Sequence, residues 1–297
     1  MTLASSWPSP IARTSRPRGA ALAALMTASA VLLTSGRASA VDPFEIQVYD
    51  GTANSPGVPG IELHVNRVFD GLRTAAAPEL PQHHQSHFTL EPSLGVLPFL
   101  ELGAYLQTAL NADGSFDYAG TKLRAKLVTP PGWHEHLRLG LNTELSLLPE
   151  RYDRNRWGGE LRPIVAWENE RWLFAVNPIV GVPLGPPDVH DGPTFEPAAM
   201  AKVKVEDVAA FGLEYYASIG AIASPSPISD QEHYLYEVVD LLAVKHFELN
   251  AGVGEGLTSA SNGFVVKMIL GYTWERAATT APAHPEPLVS TLGTSRR

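Results

Sequence analysis

Residues 99–110 read FLELGAYLQTAL, residues 118–128 YAGTKLRAKLV and residues 137–148 LRLGLNTELSLL. Each segment alternates with period two, the mark of a strand whose faces meet different surroundings. In the first, Leu100, Leu102, Ala104, Leu106 and Leu110 oppose Glu101, Tyr105 and Gln107. In the second, Leu123, Ala125 and Leu127 oppose Lys122, Arg124 and Lys126. In the third, Leu137, Leu139, Leu141, Leu145 and Leu147 oppose Arg138, Asn142, Glu144 and Ser146. One face is nearly all leucine and the other carries both signs of charge. That contrast is the one demanded by a transmembrane barrel with lipid outside and a polar lumen inside.

The chain has 297 residues. Arg13, Arg16 and Arg18 precede an apolar run from Ala20 to Leu33, and Ala38-Ser39-Ala40 supplies small residues for cleavage. Residues 1–40 are therefore expected to be a signal peptide removed before Val41. At about fourteen residues the run is short for a membrane span of about twenty. Removing the leader takes four of the 22 basic residues and none of the 31 acids, leaving a net charge of −13. Such a chain has no surplus cations for phosphates, so no nucleic-acid partner is expected. It contains no cysteine, which excludes disulfides, a thiol nucleophile and a lipid anchor after the signal. No later apolar stretch reaches eighteen residues, which excludes a helical inner-membrane protein.

Working outward from the three segments, nine more strands follow the same alternation: 61–69, 86–94, 159–167, 172–180, 195–205, 208–218, 233–244, 247–256 and 264–274. The fold class is an all-β, antiparallel transmembrane β-barrel of about twelve strands spanning 61–274. Short turns alternate with longer loops, and the short ones are assigned to the periplasm. Trp167, Trp172, Phe247, Tyr272 and Trp274 fall outward near the short-turn end, as an interfacial aromatic girdle should. Residues 41–60 are assigned to an N-terminal periplasmic segment. Within it, the run 45–50 has three readings: a plug in the lumen, a lining of the periplasmic mouth, or a linker. Residues 275–297, rich in Ala, Thr and Pro, are expected to be a disordered tail.

Several pieces of the chain resemble a poorly characterised family of proteobacterial outer-membrane β-barrels of porin-like or transporter type. They are Glu45-Ile46-Gln47-Val48-Tyr49, Leu90-Glu91-Pro92-Ser93-Leu94-Gly95, Glu101-Leu102-Gly103-Ala104-Tyr105-Leu106 and Lys122-Leu123-Arg124. Arg162-Pro163-Ile164, Asn177-Pro178-Ile179, Glu214-Tyr215-Tyr216 and Gly256-Leu257-Thr258 complete the set. The resemblance implies a bacterial outer-membrane location and contact with outer-membrane lipids. Lys267, Tyr272 and Trp274 in the closing strand also resemble the signal read by the barrel-insertion machinery.

The candidate site residues are the charges expected to line the pore. The acids are Glu91, Glu101, Glu144, Glu160, Glu196 and Glu214, with Glu237 and Glu248 beside them. The bases are Lys122, Arg124, Lys126, Arg138, Arg162, Lys202 and Lys267, with Lys204 beside them. Three cations at 122–126 lie between Glu101 and Glu144, which allows cross-strand pairing. Two outcomes follow: a polar conduit that screens solutes, or a self-neutralised filling of the lumen. His83, His84 and His87 form a tight cluster, read as solvated rather than as a metal site. His84 and Ser86, two apart on the lipid side, give an alternative reading as an outer-membrane lipid hydrolase, but an orienting Asn is missing. No catalytic residue, metal or cofactor is expected. The function expected is a porin-like passive channel for small polar solutes, with a non-conducting structural barrel as a further alternative.

Overall fold

The structure, a computed structural model, describes residues 41–274; the expected signal peptide, 1–40, and C-terminal tail, 275–297, lie outside the described residues. Twelve wall strands follow in chain order: β1 (Pro59–Asp70), β2 (Ser86–Leu97), β3 (Leu100–Leu110), β4 (Phe116–Val128), β5 (Leu137–Leu147) and β6 (Trp157–Glu168). β7 is made of Trp172–Asn177 and Val180–Pro183, β8 of Thr194–Phe195 and Ala198–Val205, and β9 of Ala209–Ser218 and Gly220–Ala221. β10 (Glu232–Leu241), β11 (Phe247–Gly256) and β12 (Phe264–Thr273) complete the wall. Each strand pairs antiparallel with its neighbours, and β12 returns to β1 with Lys267 opposite Asn66. The fold is a closed, antiparallel twelve-stranded barrel. Closure leaves no free edge, so every ladder group of the wall can be satisfied within the sheet.

The alternation decides which face points where. On β4, Lys122 and Arg124 are buried inside while Leu123, between them, is 60% exposed outside. Leu102, Leu106, Leu145, Leu161, Val165, Phe211 and Leu213 continue the same apolar outer surface. A continuous leucine-rich exterior would be a liability in water and suits a bilayer. The five aromatics expected at the short-turn end are all exposed outside. Phe69, Phe116, Tyr118, Trp157 and Phe264 are exposed at the opposite, long-loop end, so the apolar band has aromatic residues at both rims.

Four details differ from the sequence reading. First, β2 continues through Gly95 to Leu97, and the turn is Pro98-Phe99. Gly95 N–H donates to the Val58 carbonyl at 3.0 Å and its own carbonyl accepts from Gly57 N–H at 2.7 Å. The incoming chain thereby prolongs the strand. Second, the strand expected at 172–180 is interrupted at Pro178. β6 pairs with β7 at 165–168 with 173–176 and again, in the same register, at 158–161 with 180–183, and the pairing is interrupted between. Pro163 and Pro178 face that gap, and Pro197 sits at the neighbouring break in β8. A proline supplies no ladder donor, so three on adjacent strands part the ladder locally. Pro163 causes no break on its other side, where β5 and β6 stay in register. Third, Glu237 lies outside, opposite Leu213 and Val253, while Asp240 turns inward. Fourth, the first part of the segment assigned to the periplasm lies in the lumen. Residues 41–50 run inside the barrel, with Phe44, Glu45, Ile46, Val48 and Tyr49 all buried, and residues 51–58 lie at its short-turn end against Gly95 and Glu101.

Candidate functional site: an occupied lumen

The segment from Val41 to Asp50 threads the barrel from its long-loop end to its short-turn end. Val41 N lies 3.4 Å from Glu232 Oε2 at the start of β10. At the other end, Arg138 donates to the Asp50 carbonyl at 2.8 Å and pairs with its carboxylate at 2.9 Å. The alternation Glu45-Ile46-Gln47-Val48-Tyr49 fits a lumen with two unlike halves. Ile46 and Val48 join an apolar cluster with Ala166, Ala175, Met200, Tyr216, Tyr236 and Val265. Glu45 and Tyr49 face the charged wall of β3–β6.

The threaded segment has no strand partner, yet its buried backbone must be satisfied. Side chains of the wall do this. Asn66 donates to the Pro43 carbonyl and Thr89 to the Phe44 carbonyl, both at 2.9 Å. Lys267 donates to the Ile46 carbonyl at 2.9 Å and Arg162 to the Gln47 carbonyl at 3.3 Å. Asn177 acts as a surrogate strand: its Oδ1 accepts from Tyr49 N–H at 2.7 Å and its Nδ2 donates to the Tyr49 carbonyl at 3.0 Å. The interruption of β7 after Asn177 therefore coincides with the point where the wall grips the plug.

The thirteen candidate charges all lie on the inner side, and most are consumed in pairs. Lys122 meets Asp42 at 2.6 Å, Glu144 at 3.2 Å and Glu45 at 3.4 Å. Arg124 bridges Glu91 and Glu101, each at 2.7 Å, and Lys126 reaches Glu101 at 2.9 Å. Arg124 lies flat against the wall because position 103 is glycine; a Cβ there would stand 2.8 Å from its Nε. Arg162 pairs with Glu160 at 2.7 Å and Glu45 at 3.3 Å, and its guanidinium lies 4.6 Å from the Tyr49 ring centre. Tyr49 OH donates to Glu45 at 2.9 Å and meets Tyr105 OH at 2.8 Å. On the far wall, Lys202 pairs with Glu214 at 3.0 Å and Asp240 at 2.8 Å, and Lys267 pairs with Glu214. Near the short-turn end, Glu168 takes both Arg138 and Lys204. Glu196 accepts from Thr194 Oγ1 at 2.7 Å.

Below the plug, a vestibule of about 440 Å³ opens toward the short-turn end, lined by Asp50, Lys126, Glu168, Lys202, Lys204 and Glu248 among others. The long-loop end is covered: Tyr152 packs edge-on against Phe44 with ring centres 5.7 Å apart. In the same loop, burial pushes the Asp153 carboxyl up to about 6, with Asp42 and Glu79 adding to the rise. The Gly254 position leaves room for Tyr236, whose ring would lie within 2.5 Å of a Cβ there.

The histidine cluster splits: His83 and His84 keep their ring centres 3.9 Å apart, and His87 lies elsewhere. His87 is buried against Phe44, its Nε2 3.0 Å from Gln85 Oε1. His83 Nδ1 accepts from Gly71 N–H at 3.1 Å, and His84 is exposed with φ 64° ahead of β2. Ser86 Oγ accepts from Arg67 at 2.6 Å. His84 and Ser86 thus do not share a strand face, and the geometry assembles no dyad from them. Asp42, Glu62, His64, Asn177 and Asp240 were not among the candidate site residues. Only Glu62 and His64 carried a signal, two polar residues at strand spacing on the lumen face.

No family model and no curated protein matches the sequence. Among solved structures, an outer-membrane channel from Pseudomonas putida F1 superposes with a TM-score of 0.53 at 12% identity, covering 77% of this chain and 100% of that one. The KdgM porin gives 0.49 at 10% identity, covering 73% of this chain and 99% of its own. LpxR from Salmonella typhimurium gives 0.40 at 8% identity, covering 72% and 99%. At such identities the likeness is one of fold: this chain has the architecture of an outer-membrane β-barrel.

Proposed function

We propose that the chain is a passive outer-membrane channel for small polar solutes whose path is closed by residues 41–58. The observation that carries this reading is the manner of closure. Within the plug, residues 41–50 form no ladder with the wall and are held by side-chain contacts to their backbone and to Glu45 and Tyr49. Such contacts can be released without opening the barrel, and the charged vestibule already leads to them from the short-turn side. In this reading the short-turn side is periplasmic. A structural barrel is the second reading, favoured by the mutual pairing of the lumen charges. Single-channel recording separates the two. The full-length barrel is expected to pass little current, and a variant lacking 42–57 to pass at least tenfold more, with heat-modifiable migration reporting that it has folded. Silence from a folded, plug-less barrel would leave only the structural reading.

Processing before Val41 would strengthen the closure. It converts that nitrogen from an amide into an α-ammonium beside Glu232, which otherwise accepts from Tyr234 OH at 3.0 Å. Glu232→Gln is therefore expected to loosen the plug of the processed protein, read as faster labelling of a cysteine placed at Ile46. In a protein whose N-terminus is extended by two glycines the same substitution should change little. Equal effects in both backgrounds would show that no terminal charge is involved.

A further inference from the structure

Glu62 and His64 on β1 and Glu91 on β2 turn their donor atoms to one point on the lumen wall. His64 Nε2 lies 3.3 Å from Glu91 Oε2 and 3.5 Å from Glu62 Oε2, and the three ligand atoms fall within 4.8 Å of one another. His64 and Glu91 are almost wholly buried, and neither His64 Nε2 nor Glu91 Oε2 has a hydrogen-bond partner. The plug brings a fourth group: Gln47 Nε2 is 3.4 Å from Glu62 Oε2, while Gln47 Oε1 is buried and unpaired. Turning that amide over places its oxygen toward the same point.

We propose that these four side chains form a binding site for a divalent transition metal ion of the zinc type, and that the ion ties the plug to the wall. The spacing favours an ion over a proton. Bonds of about 2.0–2.1 Å to a tetrahedral zinc put neighbouring ligand atoms about 3.3 Å apart, close to the 3.3 and 3.5 Å from His64 Nε2 to the two carboxylates. An imidazolium serving two carboxylates would instead aim its N–H at one oxygen within about 2.7–2.9 Å. His64 Nε2 is equidistant, within 0.2 Å, and bonds to neither. The unpaired Nδ1 is common to both readings and does not separate them. One imidazole with carboxylate and amide oxygens is a donor set suited to zinc and its neighbours. Arg124, at 2.7 Å from Glu91 Oε1, holds that carboxylate by its other oxygen and leaves Oε2 directed at the site, the usual task of an outer-shell partner. Glu248 and Glu62 flank Gly271 from either side, adding negative charge that a cation would offset. The proposal needs the fold alone and stands whether or not the barrel conducts.

The test uses the processed, full-length barrel in detergent, stripped with chelator and dialysed. Zinc is expected to bind at one equivalent per chain and to raise the thermal midpoint. His64→Gln should abolish both effects, and Gln47→Ala should weaken binding about tenfold while leaving the wall untouched. Cobalt(II) should give the intense visible bands of a four-coordinate ion in the wild type and not in His64→Gln. Heat-modifiable migration identifies any variant that fails to fold, in which case Glu62→Gln, expected to weaken binding at least tenfold, takes its place. Absence of stoichiometric binding, or equal binding by wild type and His64→Gln, as the exposed His84 side could produce, would overturn the site.

Discussion

Lys267→Ala is expected to lower the stability of the barrel by about 3–5 kcal/mol, the usual cost of removing one partner of a buried ion pair. Lys267 is 1% exposed and Glu214, its partner, 2%. The ammonium also donates to the Ile46 carbonyl at 2.9 Å and lies 3.3 Å from Tyr216 OH. Alanine leaves Glu214 with Lys202 as its remaining cation beside Tyr216 OH and Asn250, strips one support from the plug backbone and opens space beneath the Tyr236 ring. Replacing the pair together, Lys267→Met with Glu214→Leu, should recover at least half of the loss, because a matched apolar pair needs no desolvation to be offset. Lys202 keeps Asp240 in that variant. Denaturant unfolding of the reconstituted barrel, followed by heat-modifiable migration, reads both numbers. A single variant within about 1 kcal/mol of wild type would mean that the lumen supplies water to Glu214 freely.

The second large effect concerns the plug rather than the wall. Arg162→Ala is expected to release residues 41–50 while the barrel stays closed. This guanidinium contacts Glu45, the Gln47 carbonyl and Glu160, and covers the Tyr49 ring. Without it, Glu45, Glu144 and Glu160 share the remaining charge of Lys122, and their mutual repulsion favours expulsion of the segment that carries Glu45. Because the chain has no cysteine, a single one introduced at Ile46 reports the event cleanly. Labelling by a bulky, water-soluble maleimide should be at least tenfold faster in the Arg162→Ala background, equivalent to about 1.4 kcal/mol in plug opening. Arg162→Lys, which keeps the charge and loses the fork, should fall between the two. An unchanged rate would show that the plug is held by its apolar side and by its other wall contacts, such as Asn177 and Thr89, without need of Arg162.

Much of the architecture was legible in the segments 99–110, 118–128 and 137–148. A residue that faces lipid must be apolar, and one that faces a charged lumen need not be, so the alternation of β3, β4 and β5 follows directly from their surroundings. The same rule misplaced Glu237. On either side of Glu237 on β10 the inward residues Tyr234, Tyr236 and Val238 join the apolar cluster of Ile46 and Val48 of the plug. Where the lumen is itself apolar, hydrophobicity no longer distinguishes inside from outside.

The run 45–49 alternates as a wall strand does, because it too lies between unlike surfaces, here the two halves of one lumen. Alternation records that two environments differ and carries nothing about which two. The proline breaks behave alike: Pro163, Pro178 and Pro197 each announce a lost donor, and only register shows that the losses meet on neighbouring strands. By itself, then, the sequence determined the strand number, the outer face and most of the charges that the wall turns inward, since these depend on each residue's own solvent. Which charges pair, as Lys122 does with Asp42, 80 residues away, was decided by the tertiary structure. So was the presence of Val41–Asp50 inside the barrel. Those contacts join residues remote in the chain, and only closure of the wall brings them within reach.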